Sequence, residues 1–226
     1  MTQPISAILR ACLIAAAAAA TLSGCATKKD GPQPVVSIEP PTKSDAWRPV
    51  ATEADESRLD RIGIAWATAL AEAGRRNRGE VAVEGDLLQP RAALARPEPT
   101  PGSYNCRLVR LGRTTNKVPA FEKFQPFFCY VEVEGDLLTI VKQTGSERPA
   151  GRLWADDRGD RLIFLGTIAR DAEKEPLAYG DNSKRDVAGV FERFAPFKWR
   201  LVIPWPQGTS KLDVYELSPV ADQPEG

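Results

Sequence analysis

The sequence predicts a mainly β fold, α+β overall: an eight-stranded antiparallel meander, barrel-like, preceded by one amphipathic helix. Three observations carry this expectation. Residues 101–220 hold eight runs of strand length rich in Val, Ile, Phe, Tyr and Trp. Short polar turns separate several of them, EGD at 134–136, DDRGD at 156–160, FAP at 194–196 and PQGTS at 206–210, so most connections are hairpins. Upstream, Leu59, Ile62, Trp66, Ala69, Leu70 and Ala73 recur at three- and four-residue steps, which puts one apolar stripe on a helix.

The chain starts with MTQPISAILRACLIAAAAAA, in which Arg10 precedes an uncharged apolar run. That run is shorter than the roughly 20 residues a membrane-spanning helix needs, and small residues follow it, so residues 1–24 read as a signal peptide. Leu22-Ser23-Gly24-Cys25 resembles the lipobox of bacterial lipoproteins. The resemblance implies that Cys25 is acylated and becomes the first residue of the mature chain. Ala26, in place of the aspartate that marks retention at the inner membrane, then favours the outer membrane, facing the periplasm. Residues 25–45 are the acylated cysteine and a proline-rich polar tether, extended at about 3.1 Å per residue where polyproline-like.

Residues 46–100 form the N-terminal helix and a proline-containing connector. Thr52 is the expected N-cap, with Glu53 and Asp55 in the first turn, and Arg75, Arg76 and Arg78 are placed at the far end, where positive charge suits the helix dipole. The apolar stripe is expected to pack on the β-domain. An acid-rich first half fits poorly with the alternative of an anionic membrane surface.

Residues 101–220 are the β-domain, with strands expected at 103–111, 126–134, 137–143, 150–156, 161–169, 186–193, 197–203 and 211–217, and residues 221–226 are a flexible tail. Loops 112–125 and 170–185 interrupt the meander. In FKWRLVI, Phe197, Trp199, Leu201 and Ile203 share one face, with Lys198 and Arg200 on the other. Cys129 shares a face with Phe127, Val131 and Val133, and Cys106 with Tyr104 and Leu108. Of the four cysteines, Cys12 leaves with the signal and Cys25 takes lipid, so Cys106 and Cys129 are expected to form a disulfide outside the cytoplasm.

Composition excludes several functions. The chain has 30 basic and 30 acidic residues, and losing Arg10 with the signal leaves 29 against 30. There is no basic excess, so no nucleic-acid partner is expected. Histidine is absent from all 226 residues. No His-based triad or zinc site can form, and no G-x-S-x-G, S-x-x-K or Walker-type motif is present. No catalytic residue, metal or cofactor is assigned. An enzyme would have to run on carboxylates, lysine, tyrosine or serine alone, and for carboxylates the Asp156–Asp160 turn and the Tyr179–Asp186 loop are the candidate segments.

GSYNCRLVRLG, VKQTGSERPAGRLW, RLIFLGTI, YGDNSKRDVAGVFERF and KWRLVIPWPQGTSKLDVYELSP together resemble an uncharacterised family of proteobacterial lipoproteins, the domain-of-unknown-function family numbered four-eight-nine-three, from Trp47 to Pro219. The resemblance implies no activity and transfers no catalytic residue.

Polar residues cluster in two places: Ser146, Arg148 and Arg152 around one bend, and Tyr179, Arg185 and Asp186 in the second long loop. They are the candidate ligand- or partner-binding residues, since Arg matches carboxylate or phosphate in a bidentate manner. Hairpin turns and cross-strand pairs on solvated strand faces would also account for them. The resulting expectation is a non-enzymatic, lipid-anchored binding module of the bacterial cell envelope, inhibitor-like by fold analogy alone, whose partner is an unidentified envelope protein or small ligand. The alternatives are a lipocalin-like carrier with an open lumen and a carboxylate-dependent envelope hydrolase. A lumen filled by Phe127, Phe164, Trp199 and Leu201 would argue against carriage.

Overall fold

The eight expected strands form a sheet that closes on itself. The structure, a computed structural model, describes residues 42–170, 173–208 and 210–220. Its elements are α1 (Ser44–Trp47), α2 (Glu53–Asp60), α3 (Ile62–Val83), a 3-10 turn at Gly85–Leu88, and strands β1 (Gly102–Leu111), β2 (Phe121–Lys123), β3 (Phe127–Glu134), β4 (Leu137–Lys142), β5 (Glu147–Ala155), β6 (Leu162–Arg170), β7 (Asp186–Ala195), β8 (Lys198–Pro204) and β9 (Leu212–Pro219). From β3 to β9 each strand pairs antiparallel with the next, β3 pairs with β1, and β9 returns to β1 from Leu111↔Leu212 to Tyr104↔Pro219. The result is a closed eight-stranded antiparallel barrel. The expected signal segment, Cys25, most of the tether and the C-terminal tail lie outside the described residues. Among the described residues no helix is long and apolar enough to cross a membrane.

The ninth strand corrects the expected loop 112–125. β2 pairs with the same edge of β1 as β3 does, at Val109↔Lys123 and Cys106↔Phe127 respectively. Pro126, which has no N–H for the ladder, lies in the break between them. One interrupted strand therefore covers that edge of β1.

The single amphipathic helix is also corrected. Thr52 caps α2 as expected, its hydroxyl accepting from the Asp55 amide at 3.2 Å. The helix then breaks at Arg61 (φ −98°, ψ 13°), so that Leu59 and Asp55 bury over β7 while Ala65, Trp66, Ala69 and Ala73 of α3 face β1, β8 and β9. One straight helix could not follow both surfaces of a curved barrel. α3 kinks again at Asn77 (φ −121°, ψ 30°) and runs on to Val83, past the three arginines that were placed at its end. The connector is docked, with Leu87 and Leu88 buried.

Strand alternation divides the barrel's residues into two cores. The lumen is filled by Tyr104, Cys106, Cys129, Phe164, Phe191, Trp199, Leu201, Tyr215 and Leu217, with Phe127 packed against them. Phe164 takes so much of this space that a Cβ on Gly151 or Gly166, paired beneath its ring, would sit 2.8 Å from its Cε2 or 2.5 Å from its Cζ. Cys106 and Cys129 form the expected disulfide across neighbouring strands, with Cα atoms 6.0 Å apart. Closing a loop of 23 residues stabilises the fold by about 3 kcal/mol in the chain-entropy treatment. Lumen-facing charges close one end: Arg110 donates to Asp213 at 3.2 Å and to Glu147 at 2.5 Å, Ser210 donates to Asp213 at 2.6 Å, and Lys142 donates to the Glu147 carbonyl at 2.8 Å.

The second core lies outside the barrel, where Val109, Leu111, Ile163, Leu165, Val190, Val202 and Val214 meet the helices. Here lies Arg200, on the face opposite Trp199 and Leu201 as alternation places it. Arg200 is 0% exposed. Its guanidinium donates to Glu192 at 2.6 and 2.8 Å and to the carbonyls of Asp86, Leu87 and Gln89 at 2.8–3.1 Å, and it stacks on Trp66 with Cζ 5.2 Å from the ring centroid. Glu192 and Arg200 are register partners on adjacent strands. What hides them is the helical layer. Removing one partner of such a buried pair strands the other charge at a cost of about 3–5 kcal/mol. Arg200→Met is therefore expected to lower stability to urea by about that much, and Arg200→Met with Glu192→Gln to recover part of the loss. A loss below about 1 kcal/mol in the single variant would contradict this.

Candidate functional site

The open concave surface nearest the predicted site residues lies outside the barrel, on β4–β6. Its floor is the outward face of those strands, Thr139, Val141, Ala150, Arg152, Trp154 and Leu165, and it encloses about 520 Å³. Pro176–Tyr179 of the β6–β7 loop form one wall, and Val50 and Glu132–Glu134 contribute the rest of the rim.

The wall is a strap held at both ends. At one end the Glu173 carboxylate accepts from the Arg185 guanidinium at 2.7 and 2.8 Å, and the Glu173 carbonyl accepts from Arg148. At the other end the Tyr179 hydroxyl donates to Asp55 at 2.6 Å and accepts from the Thr52 amide at 3.0 Å. Burial, and then the Asp55 carboxylate, push the Tyr179 phenol well above its ordinary pKa, so it stays protonated as a donor. Between these anchors the strap carries Leu177, 39% exposed. Val50 and Val133 on the rim are 45% and 64% exposed, so three large apolar side chains open to solvent converge on the groove. The Trp154 indole N–H, buried in the groove lining, has no acceptor among the described residues.

The structure disperses the two sequence-predicted clusters and rejoins parts of them. Arg148 and Arg185 meet at Glu173 and secure the strap. Arg152 lies on the groove floor and pairs with Glu134 at 2.7 Å. Tyr179 anchors the strap to α2. Ser146 sits exposed in the β4–β5 turn and does not line the groove. Asp186 is buried beneath the strap, one oxygen accepting from the Gly180 amide at 3.1 Å while Oδ2 has no partner among the described residues. Val133, Trp154, Leu177 and Asp55 were missed. Trp154 was legible, since it lies two residues beyond Arg152 on the same strand face. Asp55 was read as a first-turn acid, and nothing local to it announces the tyrosine it meets.

The carboxylates of the Asp156–Asp160 turn are occupied. Asp156 accepts from Trp47 Nε1 at 3.3 Å, Ser44 Oγ at 3.2 Å and Arg161 at 2.6 Å, and Ser44 also donates to Asp157. Burial alone would raise the Asp156 pKa, but Arg161 holds it below its ordinary value. This turn pins α1 to the barrel. Asp160 pairs with Arg158 at 2.7 Å. Among the described residues no three His, Cys, Asp or Glu side chains gather as a metal site.

Asp186 gives the strap a pH signature. Burial, opposed by the Gly180 amide and reinforced by Asp55, raises its pKa in the folded state. The folded chain then holds this proton more tightly than the unfolded chain, and stability contributed by the protonated acid is lost as pH climbs from about 4 through the raised value. Asp186→Asn keeps the acceptor for Gly180 and removes the charge. The expected result is a variant that gains stability relative to wild type as pH rises above about 4, measured by urea midpoints between pH 3 and 7. A difference that does not change with pH would contradict it.

Comparison with curated proteins and with solved structures gives no match. A family match covers residues 47–217, which takes in α2, α3, the strap and all nine strands up to the last two residues of β9. The groove and its anchors therefore lie within the matched region, and the chain belongs to the family described as a domain of unknown function, DUF4893.

Proposed function

We propose that the chain is a lipid-anchored binding module of the bacterial cell envelope, without catalytic activity, that recognises an apolar segment of an envelope protein in the outer groove. The observation that carries this reading is the convergence of Val50, Val133 and Leu177, all exposed, around a buried Trp154 N–H that lacks an acceptor. A polypeptide segment supplies an apolar side chain for the groove that these residues line. Volume supports the reading too, because specific sites commonly enclose about 300–1,000 Å³. The lumen offers no comparable room: Phe164, Trp199 and Leu201 fill it, and the space beside Arg110 and Asp213 at its charged end is about 20 Å³. That favours the groove over lipocalin-like carriage. The engagement of Asp156, Asp157 and Asp160 in holding the fold favours binding over hydrolysis.

The test is site-specific photo-crosslinking of the full chain in cells. A benzophenone amino acid at Leu177 is expected to give a discrete adduct, and the same probe at Phe197, exposed in the β7–β8 turn away from the groove lining, is expected to give none. No adduct at Leu177, or the same adducts at both positions, would overturn the reading.

A further inference from the structure

Helix α3 carries a second surface that neither the fold nor the groove explains. In GRRNRG, residues 74–79, Arg75, Arg76 and Arg78 are exposed, and none has a hydrogen-bond or ion-pair partner among the described residues. Most arginines of the β-domain are committed to acids or carbonyls, Arg107 to Glu84 and Glu216 for example. The helix dipole does not account for the three, because α3 continues to Val83 and its last turn holds no basic residue. The neighbouring acids are already engaged: Glu72 accepts from Lys211 and from the Arg113 amide, and Glu80 from Asn77 at 2.6 Å.

Two clefts meet at Arg75. One, of about 660 Å³, is polar and basic: Arg75 and Arg76 face Arg113, Thr115 and Asn116 of the β1–β2 loop, with the occupied Glu72 at its edge. The other, of about 700 Å³, is largely apolar and is lined by Leu70, Ala71, Val81, Ala82 and Leu88 beside Arg75 and Arg78. Ile64 and Val83 add exposed apolar side chains to the same helix. A multiply basic cleft with hydroxyl and amide groups suits a phosphate, for which Arg is the matching donor. An apolar cleft sharing one of those arginines suits a hydrocarbon chain attached to it.

We propose that this face binds an anionic phospholipid, its phosphate held among Arg75, Arg76 and Arg113 and an acyl chain lying in the adjoining apolar cleft. The site is separate from the outer groove and stands whether or not the groove takes a polypeptide.

The experiment is calorimetric titration of the full chain, in a non-ionic detergent, with dihexanoyl phosphatidylglycerol, dihexanoyl phosphatidylcholine and inorganic phosphate. The phosphatidylglycerol is expected to bind at least about tenfold more tightly than either of the others. Arg75→Ala with Arg76→Ala is expected to weaken it about thirtyfold at unchanged melting temperature, the effect of two basic side chains at an anionic lipid headgroup. Leu177→Asp, in the outer groove, is expected to leave it unchanged. Equal affinity for the two lipids, or an arginine double variant that binds as wild type, would overturn the proposal. Inorganic phosphate binding as tightly as the phosphatidylglycerol would overturn it in favour of a free-anion site.

Discussion

Arg200 holds the two halves of this molecule together. A closed barrel of this size has a core of its own, and helices outside it need a reason to stay. Part of that reason is apolar, through Trp66, Ala69 and Ala73 against the outer strand faces. The directional part is one guanidinium that leaves β8, pairs with Glu192 on β7 and spends its remaining donors on three carbonyls at the end of the 3-10 turn. Of these, the buried Leu87 carbonyl depends on the guanidinium most, because the Asp86 and Gln89 carbonyls also accept from the Gln89 and Ala92 amides, and leaving it without a partner would cost about 1–3 kcal/mol. With that joint fixed, Glu84, just before the turn, comes within reach of Arg107 on β1 and Lys123 on β2.

The same packing decides where function can reside. Phe164 and the disulfide occupy the lumen, whereas the groove on β4–β6 lies on the outside of the barrel. The strap makes a groove there by crossing β4–β6 between two polar anchors. One anchor, Tyr179 to Asp55, reaches back to α2, so the groove wall depends on the helical layer as much as on the sheet. Asp186 beneath the strap is a buried acid with an unused oxygen. Its other oxygen accepts from the Gly180 amide just beyond the strap's Tyr179 anchor.

Much of the barrel was legible because alternation is local. Each predicted strand lies within three residues of the observed one at either end, and the shared inward face of Cys106 and Cys129 was readable from a period of two. The break at Arg61 was not, since the 3.6-residue stripe continues through it, and only the curvature of the barrel forces the change of direction. Arg200 shows the same limit. Alternation placed it correctly on the face opposite Trp199 and Leu201, but no strand reports what will cover its outer face. The groove was least legible of all. Arg152 and Tyr179 were singled out for charge and for loop position, while Val133 and Leu177, which join Trp154 in its apolar surface, gained their meaning only when residues 173–185 folded back over β4–β6.

Native-state hydrogen exchange tests the central claim that helices and barrel are one cooperative unit joined at Arg200. The account predicts that amides of α3 at Trp66 and Ala69 open with a free energy within about 1 kcal/mol of amides in β6 and β8, as expected for segments that unfold together. Helical amides that exchange at an opening free energy several kcal/mol below that of the strands would contradict it, because the outer layer would then be a separable appendage on a self-sufficient barrel.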